Sequence, residues 1–339
     1  MSPLADWETL FESVQGLGKK LNQDRGRVKG TGSAEDPLIL TVADGHGSAS
    51  YPRSDVGAHF AAALFVDKGR EFGACLGPGR PGGRLSRLHD YARYELPERL
   101  VRDWQTEVWE HWRRQPGPEG ADAPRKDVLR LYGSTLVGAI LVPGLFVAWQ
   151  LGDGELTVVD EDGRVRLPLA PEQAELGDET ASLCLPEAWR LVRVHWEPLP
   201  DPERGPRLLA LSTDGLSKSF ASDAGFTAFT AGLYERLAGR GLPGIADDVP
   251  RWLAEASRHS GDDTTLALAH RAERGDDGPG PSADPRTTWG ATPEAARPWG
   301  PEPPAEPDPS AKPEPSAKPE PDPEVPDGTT NDDEETERR

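Results

Sequence analysis

The stretch PLILTVADGHG, from Pro37 to Gly47, sets an apolar run directly against a polar turn. Pro37 to Ala43 reads as a buried strand, because it is short, apolar and bounded by turn signals. Asp44-Gly45 then breaks the run, as an Asp-Gly pair does. An aspartate therefore stands at the end of a strand. The same arrangement recurs along the chain. Asp153 follows Leu145 to Gly152 (LFVAWQLG), Asp214-Gly215 follows Arg207 to Thr213 (RLLALST), and Asp262-Asp263 precedes Thr264 to Ala269 (TTLALA). Asp24, in Asn22-Gln23-Asp24, comes just before another short β-like segment. Taken singly, an aspartate after a strand caps or solvates it. Taken together, four or five carboxylates at the ends of apolar strands converge if those strands pack side by side. Converged carboxylates repel one another and need cations. Hard divalent ions with oxygen ligands, Mg²⁺ or Mn²⁺, fit that chemistry.

The rest of the chain supplies a scaffold of matching kind. Ser134 to Val142 and Leu145 to Leu151 flank Pro143-Gly144 and read as a hairpin. Glu155 to Asp160, Arg190 to Trp196 and Arg207 to Ser212 are further strands. Helical patterns lie between them. One starts at Ser54 or Asp55 and runs to about Asp67; Gly225 to Ala238 and Ile245 to Arg258 are two more. Leu96 to Arg114 places Leu96, Leu100, Trp104, Val108 and Trp112 at a spacing of four, an amphipathic stripe. Strands that follow one another, with helices arriving in pairs, predict an α+β sandwich rather than alternating βαβ units. Gly77, Gly79 and Gly82 fit G-x-G-x-x-G, but Pro78 and Pro81 interrupt it and no strand leads into it, so Gly69 to Gly83 reads as a surface loop.

Of 339 residues, 58 are acidic and 38 basic, a formal charge of −20. This balance excludes a nucleic-acid binder or an anionic-membrane binder, both of which need basic surfaces. Two cysteines, Cys75 and Cys184, are too few for a disulfide framework or a cysteine-built zinc site. No apolar run reaches the ~18 residues of a membrane span, and MSPLADWETL does not read as a leader, so a cytoplasmic protein is expected. The composition changes at Ala272. The 68 residues from there to Arg339 hold 16 prolines, 18 acidic and 7 basic residues and a doubled SAKPEP. So polar and proline-rich a segment cannot bury enough surface to offset its ordering entropy. Two regions follow: a folded domain over 1–271 and a disordered acidic tail over 272–339.

The ordered set N-Q-D, D-G-H-G, G-S-T, G-D, S-T-D-G and D-D-x-T resembles the metal-dependent protein phosphatase 2C family in its bacterial form, along nearly all of residues 10–270. The N-terminal W-E-T-L-F-E-S-V-Q-G is similar to that family's opening strand. The resemblance implies an αββα four-layer sandwich, two central antiparallel β-sheets flanked by helices, with a two-metal centre at one end. It implies that Asp44 bridges two Mn²⁺ or Mg²⁺ ions and that the Gly45 carbonyl binds the second. Asp214 and Asp262 would complete the first metal's ligands, and Asp24 would orient metal-bound water. Asp153, with Asp214, would hold a third, weaker ion. His46 would protonate the leaving group. Gly133, Ser134 and Thr135 match a structural turn. The expected activity is hydrolysis of phosphoserine and phosphothreonine in proteins, with a Ser/Thr kinase or its targets as partners in signalling.

The departures from the family pattern are Lys19, where an arginine clamps phosphate, Gly152-Asp153-Gly154-Glu155, where the family has G-D-S-R, Gln23, where an acidic residue is usual, and Asp263, where asparagine is common. Lysine binds phosphate as a point charge rather than a fork; Arg25 or Arg27 could assist it. Two alternatives follow. One is a weak or inactive module of the same fold that binds a phosphoprotein or kinase. The other is a hydrolase of a small phosphorylated metabolite, its choice governed by a variable flap over residues 160–206.

Overall fold

A computed structural model of the chain describes residues 7–76, 85–118, 120, 122–170, 180–201 and 205–272. Among these, ten strands form two five-stranded antiparallel sheets. The strands are β1 (Trp7–Val14), β2 (Arg25–Lys29), β3 (Leu38–Ala43), β4 (Leu136–Val142), β5 (Leu145–Leu151), β6 (Glu155–Val159), β7 (Val165–Arg166), β8 (Arg193–Pro198), β9 (Leu208–Ser212) and β10 (Thr264–Arg271). One sheet has the order β1-β10-β9-β6-β7, the other β2-β3-β4-β5-β8. The helices are α1 (Ser54–Leu76), α2 (Leu85–Asp90), α3 (Leu96–Arg114), α4 (Arg125–Leu131), α5 (Asp214–Ser217), α6 (Asp223–Arg240) and α7 (Val249–Ser260), with a π-helical turn, Tyr91–Glu95, leading into α3.

Four layers explain why the central strands read as unbroken apolar runs. Alternate residues of one strand enter different cores. In β3, Leu38, Leu40 and Val42 point between the sheets and meet Leu209, Leu211, Ala267 and Ala269. Ile39 and Ala43 point the other way, into a core with Phe65 of α1 and the stripe Leu96, Leu100, Trp104, Val108 and Trp112 of α3. On the far side, Leu208, Ala210, Leu266 and Leu268 pack on Phe226, Phe229 and Leu233 of α6 and on Val249 and Leu253 of α7. A strand apolar on both faces has no polar residue to expose, so no period-2 signal survives. The architecture is the α+β sandwich expected from the strand and helix pattern, in the αββα form that the family resemblance implies.

The element bounds differ from the sequence reading in places. Helix α1 does not stop near Asp67; it runs through Gly69 and Gly73 to Leu76. Those glycines hold the helix against the sheet rather than ending it. A Cβ on Gly69 would stand 2.8 Å from Ile39 Cδ1, and one on Gly73 2.7 Å from Pro37 Cγ. Strand β8 starts at Arg193, not Arg190, because Ala188–Leu191 forms a 3₁₀ turn. Helix α7 starts at Val249, with Pro250 in its first turn, rather than at Ile245. The hairpin at Pro143-Gly144 forms as expected, with Gly144 at φ 90°. Strand β10 ends at Arg271. The tail expected over 272–339 lies outside the described residues from 273 on, as do Gly77, Gly79 and Gly82. Among the described residues no helix is long and apolar enough to cross a membrane.

A close backbone approach between α1 and the end of α4 gives a stability test. A Cβ on Gly57 of α1 would fall 1.8 Å from the Tyr132 carbonyl oxygen, and the Gly57 carbonyl accepts a 2.8 Å hydrogen bond from Trp104 Nε1. The obstacle is backbone, so it cannot rotate away. Gly57→Ala is expected to cost about 1–3 kcal/mol, as overpacking does. Urea unfolding should show a lower midpoint with an unchanged slope; an unchanged midpoint would refute this packing.

Candidate metal centre and active site

The strand registers bring the carboxylates together. The last residues paired between β2 and β3 are Arg25 and Ala43, so one further step sets Asp24 opposite Asp44. Beyond the β3–β4 pairing, the Thr135 N–H donates to the Asp44 carbonyl at 2.8 Å, and the Asp44 N–H donates to Thr135 Oγ1 at 3.1 Å. Gly45 then bridges to Ser134, and the His46 N–H donates to the Gly133 carbonyl. Gly133 to Thr135 is thus the turn that supports the Asp44–His46 loop. In the other sheet, β6 and β9 pair Glu155 with Ser212. Asp153 lies just before β6, and Asp214 opens α5 just after β9, at that same end of the pair.

Two buried aspartates lock the sheets and loops around this point. Asp24 is 2% exposed, and its Oδ2 accepts hydrogen bonds from the Thr213 hydroxyl at 2.7 Å and the Thr265 hydroxyl at 2.8 Å. A carboxylate from one sheet is thereby clasped by the other. Asp263, 1% exposed, accepts from the backbone N–H groups of Gly16 and Gln23, each at 2.7 Å. It ties down the loop that carries Lys19 and Asp24. Its neighbour Asp262 lines the cavity instead.

Asp44, Asp153, Asp214 and Asp262 line one cavity of about 1160 Å³, together with His46 and Lys218. The Lys218 ammonium hydrogen-bonds Asp214 and lies 3.3 Å from Asp153 Oδ2. The Lys19 ammonium pairs with Asp262 and lies 3.6 Å from Asp263. It also lies 3.3 Å from where a Cβ on Gly47 would stand, at the edge of the cavity. Arg25 is engaged elsewhere, donating to the Asn22 and Asp24 carbonyls and lying 3.6 Å from Asp55. Gly45 packs against Ser54, where a Cβ would clash at 2.7 Å.

Crowding shows in the proton affinities. Burial, then the charges of Asp24 and Asp214, hold Asp44 well above the usual carboxylate range. Burial raises Asp24 to about 7, against its two threonine hydrogen bonds and helped by the charges of Asp263 and Asp214. Burial and the charge of Asp153 raise Asp214. Burial lowers His46, and Asp153 opposes that shift. Burial works against the Lys218 ammonium, but Asp214 and Asp153 outweigh it and raise its affinity for the proton.

The donor set fits divalent ions in its chemistry. All its side-chain donors are hard oxygens. Asp24 Oδ1 and Asp214 Oδ1 are buried without a hydrogen-bond partner, and such atoms need a cation or a proton. Among the described residues, however, no three His, Cys, Asp or Glu side chains already surround a single point as a ligand shell. The two lysine ammoniums supply the positive charge there.

The family profile of protein phosphatase 2C matches residues 18–256. The chain belongs to the protein phosphatase 2C family. Among solved structures, it is similar to a bacterial serine phosphatase at 13% identity and TM-score 0.50, covering 79% of this chain and 99% of that one. An arginine-to-alanine variant of a bacterial serine phosphatase gives 15% identity and TM-score 0.51, over 79% and 99%. The catalytic domain of the serine/threonine phosphatase PstP, in complex with two manganese ions, gives 17% identity and TM-score 0.47, over 79% and 99%. At these identities the first two matches speak for the fold alone, and the third carries no argument. No curated protein sequence matches the chain.

Sequence reasoning missed four contributors. Thr213 and Thr265 anchor Asp24, Thr180 donates to Asp153 Oδ2 at 3.1 Å, and Lys218 joins Asp153 to Asp214. Only Lys218 had a usable signal: it stands four residues after Asp214, one helical turn on.

The raised carboxyl groups predict how the metal-free chain responds to pH. A group that binds its proton more tightly when folded stabilises the fold at low pH. That stability is lost as pH rises from the ordinary carboxylate range, 3.8, through about 7 for Asp24. In chelator, Tm should fall by roughly 5 °C or more across this window, and Mn²⁺ should cancel the fall. A chelated protein that gains stability over the same window would contradict the crowding.

Proposed function

We propose that this chain is a metal-dependent phosphoserine/phosphothreonine protein phosphatase acting on cytoplasmic phosphoproteins. The observation that carries the reading is the convergence of Asp44, Asp153, Asp214 and Asp262 with His46 on one cavity. Asp44, the Gly45 carbonyl, Asp214 and Asp262 would hold two Mn²⁺ or Mg²⁺ ions. Bound there, such ions lower the pKa of water and neutralise phosphoryl oxygens. Asp24, buried behind Asp44, orients the attacking water. His46 lines the cavity with its ring 4.7 Å from that of Tyr51, and it delivers a proton to the departing serine or threonine oxygen. Lys19, whose partner Asp262 would be a metal ligand, would meet the phosphoryl group as a point charge. Cys184 also lines the cavity, and burial raises the proton affinity of its thiol.

Two measurements test this. Purified chain should release phosphate from a phosphothreonine peptide with Mn²⁺ and not with chelator, and Asp44→Asn should reduce release to background while lowering bound metal. Full activity in Asp44→Asn would overturn the assignment. His46→Ala should slow the peptide reaction by ~10²–10⁴ at unchanged metal content. It should slow p-nitrophenyl phosphate hydrolysis by less than ~10-fold, because that leaving group departs without a proton. Equal losses on both substrates would remove His46 from the acid role.

A further inference from the structure

We propose that the Lys218 ammonium is a built-in cation standing where a third metal ion would bind, so that this chain assembles a centre of two ions. The inference rests on the metal-dependent reading above and concerns only the edge of that centre.

The geometry is local and over-determined. Asp153 and Asp214 lie just beyond the end of the β6–β9 pairing, which closes at Glu155 and Ser212, and one ammonium reaches both carboxylates. This is the carboxylate pair that a further ion would need. Lys218 lies one helical turn after Asp214, and its backbone N–H donates to the Asp214 carbonyl at 2.8 Å. That turn carries the side chain back over Asp214, as i,i+4 spacing does. Its ammonium hydrogen-bonds Asp214 Oδ2 and reaches Asp153 Oδ2 at 3.3 Å. Thr180 donates to the same Asp153 oxygen at 3.1 Å.

The two oxygens of Asp214 are thereby divided. Oδ2 is taken by Lys218, whereas Oδ1 is buried and has no partner. The free oxygen is the one left for an ion shared with Asp44. A dication between Asp153 and Asp214 would have to stand against an ammonium already bonded to both. The lysine is tethered, so chelator does not remove it and added metal competes with an intramolecular group. It is also 60% exposed, so a neutral replacement leaves no hole in the core.

Metal stoichiometry of the full chain tests this directly, by titration calorimetry with Mn²⁺ and by metal analysis after equilibrium dialysis. Wild type should bind two ions. Lys218→Met, a neutral side chain of similar length, should bind a third, with a Kd at least ~10-fold below any residual third-site binding in wild type. Lys218→Arg should stay at two, and Lys218→Met with Asp153→Asn should return to two. Three ions in wild type, or two in both wild type and Lys218→Met, would overturn the proposal while leaving the two-metal phosphatase intact. No ion in either would overturn the metal-dependent reading and this proposal with it. If Lys218→Met fails to fold, the wild-type count and Lys218→Arg still decide.

Discussion

Mutual repulsion of carboxylates is the constraint around which this molecule is organised. Asp214 raises the proton affinity of both Asp24 and Asp44, Asp24 raises that of Asp44, and burial raises all three. Nothing in such a cluster holds itself together. It persists because groups outside it are fixed: strands locked in register, threonine hydroxyls on Asp24, backbone N–H groups on Asp263, ammoniums on Asp214 and Asp262. A soft scaffold would let the carboxylates part into water. Two sheets packed face to face, each covered by helices, leave little room to relax.

Division of labour between adjacent residues follows from the same frame. Asp262 and Asp263 are chemically identical and one bond apart, yet Asp262 lines the cavity while Asp263 is 1% exposed and accepts two backbone hydrogen bonds. The Lys19 ammonium pairs with Asp262 and lies 3.6 Å from Asp263, so the two differ in their other partners. The buried one needs satisfied lone pairs and obtains them from Gly16 and Gln23. The cavity-facing one is left with Lys19, a partner it can exchange.

How much of this was legible in the sequence depends on how local the signal was. The aspartates at strand ends could be read because each sits against an apolar run. So could the α3 stripe, since a helix with one dry face leaves a period of four. The length of α1 could not, because Gly69 and Gly73 look like breakers until Ile39 and Pro37 are seen pressing on them. The start of β8 could not, because Arg190 to Val192 has strand-like composition but ends a 3₁₀ turn. Thr213 and Thr265 gave no signal. Their roles come from the pairing of β9 with β10 and from Asp24 reaching across from the other sheet, contacts separated by 189 and 241 residues.

The charge of the whole chain is a poor guide to what a phosphorylated segment meets. A sum of −20 would repel a phosphate dianion if all of it acted at the cavity mouth. Screening in physiological salt confines exposed charges to about 8 Å. The same cavity is also lined by Arg125, Lys126 and Arg130 of α4, with Asp127 among them, and by Arg102 of α3. Arg130 stacks over Tyr51 at 5.8 Å, and Arg125 over Trp109 at 6.0 Å, which keeps both guanidiniums on the rim rather than loose in solvent. A substrate entering under the proposed reaction meets a basic wall as well as an acidic floor. The floor demands cations and the wall admits anions, and the two signs stay apart because they sit on different layers: the floor at the strand ends and the wall on the helices that cover one sheet.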